Sequence, residues 1–243
     1  MSALDHLIEL RRRFIASLLA FIACFALAIA FYKPLIGLFT GQFERIESGL
    51  GSRLFANSIA EGFIVQLQAS AIAALIVSLP FHLVNAVQFI FPALKRKTRR
   101  IVSICLGASF VLAVLGAYLA YFRIIPFSIG FLLDSRFVPK DVGILLNYQK
   151  SITYVLAFML WTIITFQAPL ALEILLALDI LERRAVFRAS RYVIIVIFIV
   201  AAVVTPSVDP ISQCAIAVPL IALFFLVLFI ARLFRLGEGR EEG

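Results

Sequence analysis

Few side chains in this sequence have the type and spacing to do chemistry. The densest group is His6-Leu-Ile-Glu-Leu-Arg-Arg-Arg13, a carboxylate followed by three guanidinium groups directly before a long apolar run. On a helix, Glu9 and Arg13 are four apart and share a face. Two readings stand open. Arginines at a helix end anchor that end on the cytoplasmic side of a membrane, or Glu9 also faces a cytosolic groove and receives a basic ligand. Ser78 and His82 are likewise four apart, but nothing near them in the sequence supplies an oxyanion hole or an orienting group. There is no Gly-x-x-x-x-Gly-Lys-Ser/Thr loop, which excludes a P-loop nucleotide site. His6 and His82 stand in no metal-ligand pattern. Cys24, Cys105 and Cys214 lie singly inside apolar runs, where they read as small packing residues. The expectation is a chain with no catalytic residue, no metal and no cofactor.

The elements that must position these residues are membrane spans. The 243 residues are 63% hydrophobic and 15% charged, and the mean hydropathy is +1.07, far outside the composition of soluble domains. Apolar runs at about 14–32, 63–81, 101–122, 152–178, 192–204 and 211–231 predict an all-α integral membrane protein of six transmembrane helices. They form one polytopic domain over residues 1–236, with a disordered cytoplasmic tail at 237–243. The first run ends at Lys33-Pro34 without a small-x-small cleavage site, so it reads as a span and not a signal peptide. Gly116 and Ala120 give the third span a small face for close packing. The fifth run, at 13 residues, reaches only about 20 Å, short of a ~30 Å hydrocarbon core. Lys33 to Gly62 reads as a long polar loop with some structure of its own. Pro80 marks a kink or an exit, and residues 82–94 read as an interfacial segment.

The net charge of +8 sits in short loops, where topology explains it without nucleic acid. With the N-terminus inside, inner segments hold fifteen lysines and arginines against seven outside, which places both termini in the cytoplasm. Burying the polar residues within the spans, Gln66, Gln68, Gln167 and Glu173, costs energy unless they face the bundle interior or a partner; Glu173, near the cytoplasmic end, can also snorkel or pair with Arg183 or Arg184. Gln167 is suited to an interhelical hydrogen bond or to contact with a partner helix. Pro169 beside it frees a backbone carbonyl in the preceding turn. A solute transporter finds no support, since there is no inverted repeat and no paired charge at mid-membrane.

Taken together, these marks resemble a known family. His6-Leu-Ile-Glu-Leu-Arg-x-Arg before the first span is similar to the N-terminal signature of TatC, the core subunit of the twin-arginine protein translocase. Phe91-Pro-Ala-Leu94 followed by Arg99-Arg100 resembles the family's first cytoplasmic loop, and Gly116-Ala-x-x-Ala-Tyr121 with Pro126 resembles its third helix. Phe166-x-x-Pro169 is similar to the fourth helix, and Thr205-Pro-x-x-Asp209-Pro-x-Ser-Gln213 with Pro219 to the last hairpin. The marks run in order over nearly the whole chain.

The resemblance implies a glove-shaped receptor in the cell's inner membrane that binds twin-arginine signal peptides of folded cargo at its cytoplasmic face. It implies assembly with single-span TatA-like and TatB-like subunits, several copies of the chain in a receptor complex, and use of the proton-motive force. Glu9, Arg13, Pro92, Leu94, Thr98 and Arg99 would bind the signal peptide. Gln167, Pro169 and Gln213 would contact partner helices, and Pro206 and Asp209 would shape the periplasmic hairpin. The chain departs from the family at three carboxylates, with Thr98, Gln167 and Phe225 standing where the family has glutamate. The alternative is therefore a TatC-like paralogue, a structural subunit without signal recognition of its own.

Overall fold

The computed structural model describes residues 3–44, 54–90, 96–134, 136, 145–205, 209–234 and 236–237. They are almost entirely helical. Helix α1 spans Ala3–Ala30 and α2 spans Tyr32–Glu44. Strand β1 is Leu54–Phe55, α3 is Glu61–Ile90 and α4 is Arg96–Leu119. A π-helical turn at Ala120–Ile124 leads into α5, Ile125–Leu132, and β2 is Leu146–Asn147. Then follow α6 (Tyr148–Thr165), α7 (Ala168–Ala177), α8 (Arg183–Arg188), α9 (Ser190–Val204) and α10 (Pro210–Leu233). Among the described residues, five stretches are long and apolar enough to cross a membrane: 7–30, 61–87, 103–132, 148–177 and 210–233. Helix α9 is apolar but has 15 residues, about 22 Å.

Prolines set most of the joints, because each removes one backbone donor. Pro34 leaves the Ala30 carbonyl without its i+4 partner, and the chain turns at Phe31 between α1 and α2. Pro126 stands at the second position of α5, directly after the π turn that absorbs the extra residue. Pro169 follows the break at Phe166–Gln167 between α6 and α7. Pro80 and Pro219, by contrast, lie inside helices that continue past them. So Pro80 is not an exit, and residues 82–90 belong to α3 and not to a separate interfacial segment. Residues 33–44, expected within a polar loop with some structure of its own, are helical. Phe39 and Phe43 are four apart on one face of α2 and both are buried.

The chain falls into two compact units. The first joins residues 1–85 with 118–160. Its core holds Val65, Ala69, Ile125, Ile129, Ile152, Leu156 and Phe158. Polar ties cross between its helices: Asn85 Nδ2 donates to Ser17 Oγ at 3.0 Å, Thr153 Oγ1 to Gln68 Oε1 at 2.9 Å and Tyr121 Oη to the Leu38 carbonyl at 2.9 Å. At one end β1 and β2 pair in parallel, Leu54 opposite Leu146 and Phe55 opposite Asn147. Beside them Asn147 Nδ2 donates to both carboxylate oxygens of Glu61, at 3.1 and 3.3 Å, in the first turn of α3. None of residues 7–30 is buried in the structure, the pattern of a helix that faces lipid or a partner.

The second unit joins residues 86–117 with 161–243. Leu176, Val186, Phe224, Val227, Leu228, Ala231 and Leu236 form its core under α7, α8, α9 and α10. Gly116 lets two helices approach closely, since a Cβ there would lie 3.1 Å from Phe166 Cγ and 3.4 Å from Ile163 Cα. α7 ends in a Schellman motif: Ile180 N–H bonds the Leu175 carbonyl and Asp179 N–H the Leu176 carbonyl, with Asp179 at φ 54°. α10 closes in a similar way, Leu236 N–H reaching the Ala231 carbonyl at 2.8 Å.

Candidate functional site

Glu9 and Arg13 stand one helical turn apart on α1, and their side chains meet. Arg13 donates from Nε at 3.0 Å and from Nη2 at 2.6 Å, both to Glu9 Oε1. Side-chain exposure is 24% for Arg13 and 21% for Glu9, so much of the pair is screened from water. Charge-assisted hydrogen bonds of this kind are about twice as strong as neutral ones. Exposed apolar side chains flank the pair: Leu7, Ile8, Leu10 and Phe14. The arrangement is a carboxylate already shaped around a guanidinium, set at the charged end of a long apolar helix.

The other residues expected around a basic ligand come from other segments. Thr98 and Arg99 fall in the first turn of α4, in the second unit, whereas Glu9 belongs to the first. Pro92 and Leu94 lie outside the described residues.

The expected partner-contact residues are all engaged within the chain. Gln167 sits at the α6–α7 break, and its Oε1 accepts from Ser109 Oγ of α4 at 2.7 Å. Its Nε2 reaches only the Ile163 carbonyl, at 3.5 Å. Of the two roles open for Gln167, the interhelical hydrogen bond is thus present. Pro169 is buried at the start of α7. Gln213 Nε2 donates to the Phe198 carbonyl at 2.8 Å, stitching α10 to α9. Asp209 caps α10, its Oδ1 accepting from Ser212 N–H at 2.7 Å, while Pro206 lies outside the described residues.

Ser78 and His82 do share a face of α3, with Oγ and Nε2 2.8 Å apart. Ser78 has a single hydroxyl hydrogen, and the Ala74 carbonyl 2.7 Å away accepts it. His82 Nε2 is then the donor and has no lone pair for a proton. The pair satisfies a helix interior and forms no nucleophile–base couple. Outside the spans, the Arg136 side chain donates to both carboxylate oxygens of Asp134. That hydrogen bonding holds the Asp134 carboxyl below the usual carboxylate range.

Sequence reasoning took the arginines after α7 as topology signals, with Arg183 or Arg184 as a partner for Glu173. The structure gathers Arg183, Arg184 and Arg188 of α8 with Arg232 of α10 around one cavity of about 760 Å³, whose other wall is Phe187, Phe225, Leu228 and Phe229. The spacing of Arg184 with Arg188, and of Phe225, Phe229 and Leu228 with Arg232, carried the signal: each set lies on one helical face.

Known proteins share this architecture. A family profile described as Sec-independent protein translocase protein (TatC) matches residues 5–219. The TatC protein of Halothiobacillus neapolitanus is 32% identical over 236 residues, which is 95% of this chain and 62% of that relative. This chain thus spans less than two thirds of that relative's length. The TatC protein of Escherichia coli K12 is 29% identical over 239 residues, covering 98% of this chain and 91% of the relative. A crystal structure of the twin-arginine translocase receptor TatC in DDM aligns with a TM-score of 0.80 at 27% identity, over 93% of this chain and 98% of its own. With the profile running through all but the last helical turns, the chain belongs to the TatC family, multi-pass membrane subunits of the Sec-independent translocase and not a family of enzymes.

Proposed function

We propose that this chain is the signal-peptide receptor of a twin-arginine translocase. In this reading it is one polytopic domain through residue 236 that crosses the inner membrane six times, α9 being the short fifth span, with both termini in the cytoplasm. It works in several copies with TatA-like and TatB-like single-span partners, and exports folded proteins on the proton-motive force. The observation that carries the reading is the grip of Glu9 on a guanidinium through two donors, beside exposed Leu7, Ile8 and Leu10. A twin-arginine signal offers guanidinium groups followed by an apolar segment, which matches a carboxylate with an apolar border. Two-donor geometry also favours arginine over lysine, whose ammonium is a point charge.

Arg13 then takes part as the resident occupant of Glu9, exchanged or shared when the ligand arginine arrives. Pro92, Leu94, Thr98 and Arg99 complete the site, with Thr98 supplying a hydroxyl where a second carboxylate would be expected. Gln167, Pro169 and Gln213 support the partner-helix face, and Pro206 and Asp209 the periplasmic hairpin.

Photo-crosslinking of a twin-arginine signal peptide to the full chain in membranes, from probes at Leu10 and Thr98, tests this. The expected result is a crosslink from both positions that disappears when the two signal arginines become lysines. If no arginine-dependent crosslink forms while the chain is still recovered with a TatB-like partner, the receptor reading fails and the structural paralogue stands.

A further inference from the structure

The cavity between α8 and the last three turns of α10 contains two chemistries at once. Four guanidinium side chains, Arg183, Arg184, Arg188 and Arg232, line one part, and Phe187, Phe225, Leu228 and Phe229 line the rest. No carboxylate is among the lining residues. Among the described residues, Arg184, Arg188 and Arg232 form no ion pair. Like charges converging on one cavity repel each other unless an anion enters. Its volume of about 760 Å³ lies within the roughly 300–1,000 Å³ of small-molecule sites.

The walls are fixed in place. Arg183 N–H bonds the Gly237 carbonyl at 3.0 Å, and Arg183 Nη1 donates to the Ala231 carbonyl at 3.4 Å. Gly237 has φ 62°, and a Cβ there would stand 2.9 Å from the Leu181 carbonyl oxygen. Only glycine lets the end of α10 dock against the start of α8 in this way. Beneath the arginines, Val186 of α8 packs with Leu228 and Ala231 of α10. The cavity is therefore a shaped feature of a packed corner, at the polar end of a 24-residue apolar helix.

We propose that this cavity binds an anionic phospholipid, its phosphate headgroup among the four arginines and the first part of an acyl chain along Phe187, Phe225 and Phe229. Basic pockets at the polar ends of membrane helices suit such headgroups. A free inorganic anion would use only the charged part and leave three exposed phenylalanine rings in water. The acidic residues that follow in the sequence, Glu238, Glu241 and Glu242, match the charge but have nothing to cover the rings. An amphiphile satisfies both.

The test uses the full chain, purified in detergent and stripped of lipid, with native mass spectrometry as the readout. Phosphatidylglycerol and phosphatidylcholine of identical acyl chains are titrated separately, then with inorganic phosphate as competitor. Phosphatidylglycerol is expected to be retained selectively and to resist equimolar phosphate. At about tenfold per 1.4 kcal/mol, with each arginine near a lipid surface contributing about 1 kcal/mol, R184Q/R188Q is expected to weaken it twenty- to thirtyfold. R184K/R188K is expected to keep most of the binding, which separates lost charge from lost fold. Phe225→Glu, placing a carboxylate in the cavity, is expected to reduce retention. Equal retention of both lipids, or displacement by equimolar phosphate, overturns the proposal. So does a similar gain in affinity when the chain is cut after Gly237, which would make the acidic segment the occupant.

Discussion

Ser109 Oγ and Gln167 Oε1 lie 2.7 Å apart, a hydrogen bond between residues 58 positions apart in the sequence. Ser109 is buried, and Gln167 stands where Pro169 has already cost the helix a backbone bond. The contact ties α4 to the break between α6 and α7. Side-chain hydrogen bonds inside membranes contribute modestly, about 0.6 kcal/mol on average and at most about 1.7. A double-mutant cycle of Ser109→Ala and Gln167→Leu, read by thermal unfolding in detergent, is expected to give a coupling of about 0.5–1.5 kcal/mol. Strict additivity would mean that the two side chains do not support each other.

Glu9 and Arg13 predict opposite effects from neighbouring substitutions. Glu9→Ala removes the carboxylate and is expected to lower affinity for a twin-arginine peptide by more than tenfold, the scale of a charge-assisted bond at about 1.5–3 kcal/mol. Arg13→Gln removes the resident guanidinium. An i,i+4 pair contributes only about 0.3–0.5 kcal/mol, so its release is expected to strengthen peptide binding about twofold. Peptide titration by fluorescence anisotropy reads both. A large loss in Arg13→Gln would mean that Arg13 contacts the ligand directly and is not displaced by it.

Gly116 faces two terms of opposite sign. Replacing a helical glycine by alanine gains up to about 1 kcal/mol, but the new Cβ would stand 3.1 Å from Phe166 Cγ and 3.2 Å from Phe166 Cβ. Phe166 is wholly buried and has little freedom to retreat. Gly116→Ala is therefore expected to be near neutral, and Gly116→Val to destabilise by about 1–3 kcal/mol through overpacking. The fraction of monodisperse protein left after heating, measured by size-exclusion chromatography, ranks the three.

Asp134 gives a pH signature. Its carboxyl lies below the usual range because the Arg136 side chain hydrogen-bonds its charged form. A lowered folded pKa stabilises above the ordinary carboxylate range, and that contribution is lost as pH falls through the lowered value. Carbon-detected NMR of labelled aspartate is expected to show Asp134 titrating at lower pH than an ordinary aspartate, and moving back toward the ordinary range in Arg136→Gln, where the backbone N–H of residue 136 still donates to Oδ1. Unchanged titration in the variant would mean that the pair does not persist in solution.

Much of this architecture was legible because lipid allows few solutions. Apolar runs long enough to span gave five of the long helices, and the Glu9–Arg13 pair followed from i,i+4 spacing. Prolines were harder. Pro80 and Pro126 both look like ends in the sequence, but α3 continues through the first, and a π turn leads into α5, which takes the second at its start. Whether a lost backbone bond ends a helix depends on what surrounds it, and the sequence does not show that. Residues 33–44 were missed because Gly37, Gly41 and Lys33 suggest a loop, although Phe39 and Phe43 mark a buried helical face. Ser109–Gln167 and the cavity of arginines depend on tertiary placement across tens of residues. Helical spacing marks each face of the cavity, but no local pattern encodes which faces meet.

The two-residue pairing of β1 with β2 has a consequence for how the chain is made. Leu54 and Leu146 are opposite one another but about ninety positions apart in the sequence, and the helices between them must be threaded through the bilayer first. Closing so long a loop costs entropy that two residue pairs cannot offset alone. The Asn147–Glu61 contact and the core beneath must already be in place. On the topology proposed above, this clasp closes only after the spans between its strands are inserted, and its closure reports that both flanking segments have reached the same side of the membrane.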